Sequence, residues 1–184
     1  MPPPWRARSS ALLLKLHDGQ EVSVGHLAPT MIACPCEPIG RSLAIRVTFA
    51  NHCYTEKYDR GIHRPEQILL TEAPDRHRVF CPVRYGLSHR LPKLVASLPN
   101  RKVHQTAQLR NYVYVVPLEV EGQHYEIYFM LQRASGGETA DLRLTVESAY
   151  PNGGFNVRKR PREIRFIVLA HKVLTNQRIH FAAR

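Results

Sequence analysis

Residues 141–166 read "DLRLTVESAYPNGGFNVRKRPREIRF". A period of two puts Arg143, Thr145 and Glu147 on one side of an extended chain and Leu142, Leu144 and Val146 on the other. Upstream, "HYEIYFMLQRA" places His124, Glu126 and Tyr128 together in the same way. A sheet face carrying carboxylates, imidazoles and guanidiniums has the groups that metal-independent RNA cleavage needs. Glu126 or Glu147 would take the proton from the ribose 2′-hydroxyl, and His124 or His104 would protonate the leaving oxygen. Arg143 and Arg165 would stabilise the extra charge of the transition state. Tyr128 would stack on a base or donate a hydrogen bond. The bland alternative is an ordinary solvated strand face held by cross-strand ion pairs.

Two further groups of residues bear on chemistry. The segment "NGGFNVRKRPR" joins Phe155 to Arg158, Lys159, Arg160 and Arg162, which suits a phosphate backbone and a stacked base, or only a solvated loop. Cys34, Cys36, Cys53 and Cys81, with His52, supply enough soft ligands for one tetrahedral zinc. Their spacing is untypical of zinc sites, so buried structural thiols are expected and no cofactor is assigned. A nucleophilic pair of Cys53 or Cys81 with His52, His63 or His89 is a further option that nothing local marks. No P-loop, dinucleotide fingerprint, H-E-x-x-H or nucleophile elbow is present.

These residues must be positioned by a fold, and 184 residues that are 43% hydrophobic suffice for one domain over 1–184. The prolines of residues 1–10 read as a loose tail. Asp18-Gly19 marks a hairpin. "APTMIACPCEPIG" is interrupted by prolines and reads as an irregular connection, and "SLAIRVTFANHCYTEKYD" as a strand ending near Tyr54. Residues 56–78 read as an excursion loop. Leu87, Leu91, Leu94, Val95 and Leu98 share one helical face, predicting a main helix near 87–98. Thereafter the chain reads as about four strands: "NYVYVVPLEV" and "HYEIYFMLQRA" joined at Glu121-Gly122, which sets Glu119 opposite His124, then "DLRLTVESAY", then "EIRFIVLAHKVL" with Arg165 and His171 on its less apolar side. The expected class is α+β, predominantly an antiparallel meander, with no internal repeat apparent.

Charge narrows the partners. A net charge of +11 favours RNA or another nucleic acid as partner, with an acidic host protein as the alternative. No apolar run approaches the roughly 20 residues of a membrane span, and the apolar stretch 11–14 is too short for a signal peptide, so a cytoplasmic location without a membrane partner is expected.

The blocks "IACPCEPIGRSLAIRVTFANHCYTEKYD", "RVFCPVRYGLSHRLPKLVASLP" and "ADLRLTVESAYP" resemble a small bacterial and phage-associated family labelled stationary-phase growth adaptation proteins. The likeness runs from about Leu14 to the C terminus and implies no established activity. A second resemblance is architectural: the order of helix and antiparallel meander is similar to the barnase, EndoU, colicin and RelE-like nucleases. By that analogy His104, His124, Glu126, Arg143, Glu147 and Arg165 would form the catalytic face of a phage- or toxin-type endoribonuclease. A non-catalytic nucleic-acid-binding or host-protein-interacting accessory protein is the rival reading.

Overall fold

The computed structural model describes residues 12–106, 112–117, 124–152 and 163–179. The chain opens with a hairpin of β1 (Leu13–Lys15) and β2 (Glu21–Ser23). Its turn is built at Asp18-Gly19: Gly19 takes φ +83°, and the Asp18 carboxylate accepts the amide of Gln20 at 2.9 Å. β3 (Thr30–Cys36) and β4 (Arg41–Phe49) follow. They pair antiparallel around a 3₁₀ turn closed by Gly40, whose φ of +71° reverses the chain. The prolines of "APTMIACPC" do not break it, contrary to expectation. β3 lies at the edge of its sheet, where a strand accommodates a proline because one of its sides has no ladder to supply.

Residues 56–78 also depart from the expected loop. β5 (Thr55–Lys57), β6 (Ile68–Ala73) and β7 (Arg76–Phe80) form a separate three-stranded sheet in the order β5-β7-β6. The expected helix near 87–98 is instead two short helices, α1 (Pro82–Ser88) and α2 (Leu91–Ala96). Each has a proline in its first turn, where the missing amide costs nothing. Pro92 cannot donate to a carbonyl one turn back, so a helix through 87–98 would lose that bond, and the chain restarts instead.

β8 (Lys102–Gln105), β9 (Tyr112–Pro117), β10 (His124–Arg133) and β11 (Leu142–Asn152) pair in turn, and β12 (Glu163–Arg165) pairs with β8. The sheet they enter is nevertheless mixed: its order is β12-β8-β9-β10-β11-β4-β3, and β4 joins β11 in parallel. The class is α+β, but a predominantly antiparallel meander is not what the chain builds. The N-terminal half supplies two strands of the same sheet. The segment "EIRFIVLAHKVL" is strand only at its start. Phe166–Leu174 is helix α3, because Phe166, Leu169, Ala170 and Val173 recur at helical spacing and seat one face on the sheet. His171 therefore lies on a helix.

β9 and β10 meet with His124 opposite Pro117, two residues from the expected pairing opposite Glu119, a position outside the described residues. An even shift leaves every side chain on its face. One face of the large sheet is the core: Leu43, Ile45, Val47, Ile127, Phe129, Leu142, Leu144 and Val146 are buried there, with Phe166 and Leu169 of α3 packed onto it. The other face carries the polar side chains. Among the described residues no helix is long and apolar enough to cross a membrane.

Candidate functional site

The polar face is organised in rows across the strands. One row runs Glu163, His104, Val113, Tyr128, Ser148. One pair further along, Glu126 lies opposite Tyr150, and Arg165 opposite Lys102. Glu126 is fully buried and accepts a hydrogen bond from the Tyr128 hydroxyl. His104 is buried on the same row as Tyr128, two strands away, or about 10 Å at the usual strand spacing. Glu147 sits at a bulge, where β10 steps from Tyr128 to Phe129 while β11 steps from Ser148 to Val146. His124 heads β10, and its buried Nδ1 has no hydrogen-bond partner among the described residues.

Arg143 belongs elsewhere on this face. It lies opposite Gln132, six residues along β10 from Glu126, which separates the two by about 20 Å. By register His104, His124, Glu126, Arg143 and Arg165 share this face, Glu147 is the unpaired residue of the bulge, and Arg143 stands too far from Glu126 for both to reach one phosphate. Arg143 donates from Nη2 to Ser135 at 2.8 Å, and its Nε lies 3.6 Å from Glu138. It lines a cavity of ≈ 340 Å³ with Arg46, Thr48, Glu138 and Thr145. Exposed Arg165 ends β12 and caps α3. The basic segment with Phe155, Arg158, Lys159, Arg160 and Arg162 lies outside the described residues.

Sequence reasoning missed an aromatic stack. Tyr128 and Tyr150 lie with ring centroids 5.5 Å apart and planes 17° from parallel, and the Arg84 guanidinium of α1 sits 4.9 Å from the Tyr150 centroid. The signal available was a tyrosine on the polar parity of each of two neighbouring strands, Tyr128 on β10 and Tyr150 on β11. It could not be used without the register that sets Glu126, and so Tyr128, beside Tyr150. Arg84 is steadied by donating from Nη1 to the carbonyl of His52 at 3.2 Å.

The four cysteines are free and buried. Cys34 and Cys36 point into the core from β3, Cys53 lies in a 3₁₀ turn, and Cys81 precedes α1. Burial pushes the Cys53 thiol up to about 12, and burial and then neighbouring Cys36 push Cys34 up to about 11. Such thiols are poor nucleophiles and poor metal ligands. Among the described residues no three of His, Cys, Asp and Glu are grouped to hold a metal ion. His52 spends its Nε2 on Glu72, at 2.8 Å, rather than on a thiol.

The parallel junction beneath the arginine cavity is held by Asp141. Its carboxylate takes two hydrogen bonds from Arg41, at 2.8 and 2.6 Å, and one from the amide of Ala44 at 2.8 Å, while its own amide donates to the Ala44 carbonyl. The Arg41 hydrogen bonds hold this carboxyl below the usual carboxylate range. The clamp ties the entry of β11 to β4 and sets which of their residues are neighbours.

No solved structure matches the chain. Protein YjaZ of Escherichia coli (strain K12) is 31% identical over 134 residues, which is 72% of this chain and 72% of that protein. The family model described as the YjaZ family matches residues 14–174. The match spans both halves of the mixed sheet and its polar face, and the chain belongs to the YjaZ family.

Proposed function

We propose that this chain is a nucleic-acid-directed protein that binds single-stranded RNA across the polar face of its large sheet. The observation that carries the reading is the Arg84–Tyr150–Tyr128 stack. Stacked aromatics beside a cation are a platform for unpaired bases, tolerant of sequence. The stack stands at the end of β11, directly before the segment with Phe155 and the four cations Arg158, Lys159, Arg160 and Arg162. The excess of +11 supplies the long-range attraction that such binding uses.

Fluorescence anisotropy with a labelled single-stranded RNA tests this. Affinity should fall steeply with salt, and Tyr150→Ala should weaken binding by about 1–3 kcal/mol, the usual worth of one base stack. Binding that ignores both salt and Tyr150 would sink the proposal and favour an acidic protein as the partner.

A second reading, metal-independent cleavage, is favoured by the hydrogen-bonded Glu126–Tyr128 pair and by His104 on the same row. RNA incubated with the protein in EDTA should then yield 2′,3′-cyclic phosphate ends, abolished by Glu126→Gln in a variant that still melts cooperatively. Intact RNA at the end of that incubation leaves binding without cleavage.

A further inference from the structure

The polar face holds a second feature, at the far end of β11 from the stack. Residues 45–49 read IRVTF and residues 142–146 read LRLTV, the same order of apolar, Arg, apolar, Thr, apolar. The two segments pair in parallel without offset, so Arg46 lies beside Arg143 and Thr48 beside Thr145. An antiparallel pairing centred on the same residues would have set each arginine against the other strand's threonine. The parallel one aligns like with like.

The result is a cavity with two guanidiniums at one level and two hydroxyls at the next, the threonine oxygens 3.3 Å apart. Among the described residues Glu138 is the one carboxylate lining it, and it sits on the Arg143 side. Arg46 is exposed and makes no ion pair or hydrogen bond among the described residues. Like charges directly across a strand pair destabilise a sheet, so folding alone does not recommend this arrangement. An anion between them does: guanidinium forks match the oxygens of a phosphate, and threonine hydroxyls add donors. Two arginines against one glutamate leave a single positive charge, which matches the single negative charge of a phosphodiester.

We propose that Arg46, Arg143, Thr48 and Thr145 form a seat for one phosphate oxyanion, and that its ligand is a backbone phosphodiester of the bound RNA. The inference rests on the nucleic-acid reading for the strand that carries the phosphate. The seat itself recognises the oxyanion, so free phosphate and a nucleic-acid backbone are separate arms of the test.

Amide NMR spectra of the full chain, titrated with inorganic phosphate and separately with a short single-stranded RNA, report on both. Phosphate should move the amides of Thr48 and Thr145, and Arg46→Gln should remove that shift. Arg46→Gln should weaken RNA binding about tenfold and lower the slope of log affinity against log salt by about 1. The same variant should melt no lower than the wild type, because it relieves a like-charge contact. Arg46→Lys keeps the charge without the fork and should fall between the two. Phosphate binding at the seat with no RNA binding anywhere would leave the seat standing and remove the RNA ligand. RNA binding indifferent to both Arg46→Gln and Arg143→Gln, with still amides at Thr48 and Thr145, would remove the seat and leave the nucleic-acid reading. A clear loss of stability in Arg46→Gln would assign that arginine to folding instead.

Discussion

Cys53 shows how environment rather than type sets a side chain's chemistry. It is fully buried, its sulfur lies 3.8 Å from the carbonyl of Val146, and burial lifts its ionisation to about 12. A thiol enters alkylation as thiolate, and this one stays protonated at neutral pH. Iodoacetamide should therefore label the native protein far more slowly than the unfolded chain at all four cysteines, as read by mass spectrometry of the intact protein. Fast native labelling of Cys53 would contradict its burial. Glu126 makes the complementary point. Alternation offers it as a candidate general base or an ordinary solvated strand residue, yet it is as buried as Phe129 and takes a hydrogen bond from Tyr128. Alternation names the face on which a residue lies but not whether another part of the chain covers that face.

At the scale of elements, the junction between β4 and β11 decides most about the polar face. Parallel neighbours have no hairpin to set their register, and here the Asp141 clamp does it. The carboxyl of Asp141 is held below its ordinary value, chiefly by Arg41. A depressed carboxylate stabilises the fold above its unfolded pKa, near 4, and that contribution fades as pH falls through the folded value. Acidification below about pH 4 should speed hydrogen exchange at the β4 and β11 amides before the rest of the sheet. Asp141→Asn keeps the shape but loses the charge-assisted pair, so it should lower the melting temperature at neutral pH and flatten this part of the pH dependence. Equal exchange in both proteins at pH 7 would show that the clamp does not hold the register. The helices carry a related lesson. The run of leucines at 87–98 was legible as helical, and Pro92 was legible as a problem; the break at His89-Arg90 and the earlier start at Pro82 each set a proline in the first turn of a helix. In α3 the β-rich composition of "FIVL" concealed a helical period that matters only because the sheet offers it a surface.

For the molecule as a whole, the core joins residues from both ends of the chain. Phe129 stacks near Tyr112 of β9 and Phe166 of α3, with centroids 5.8 and 6.0 Å away, and is wholly buried. Phe129→Ala should cost about 3–5 kcal/mol in urea unfolding, through lost burial and the cavity left behind. A loss below about 1 kcal/mol would mean that this contact between sheet and α3 is not a stabilising centre. The sequence by itself determined the local terms: the turn at Asp18-Gly19, the two-residue alternation that sorts side chains to faces, the basic excess, and the lack of any apolar run long enough for a bilayer. Each of these depends on neighbours a few positions away. Only the tertiary structure decided that β4 lies beside β11, so that Thr48 meets Thr145 across 97 residues of chain, that residues 56–78 pair among themselves, and that Arg143 stands far from Glu126. Strand neighbourhood is a long-range choice, settled by which apolar faces can be buried together, and a period of two is the same whichever strand lies alongside.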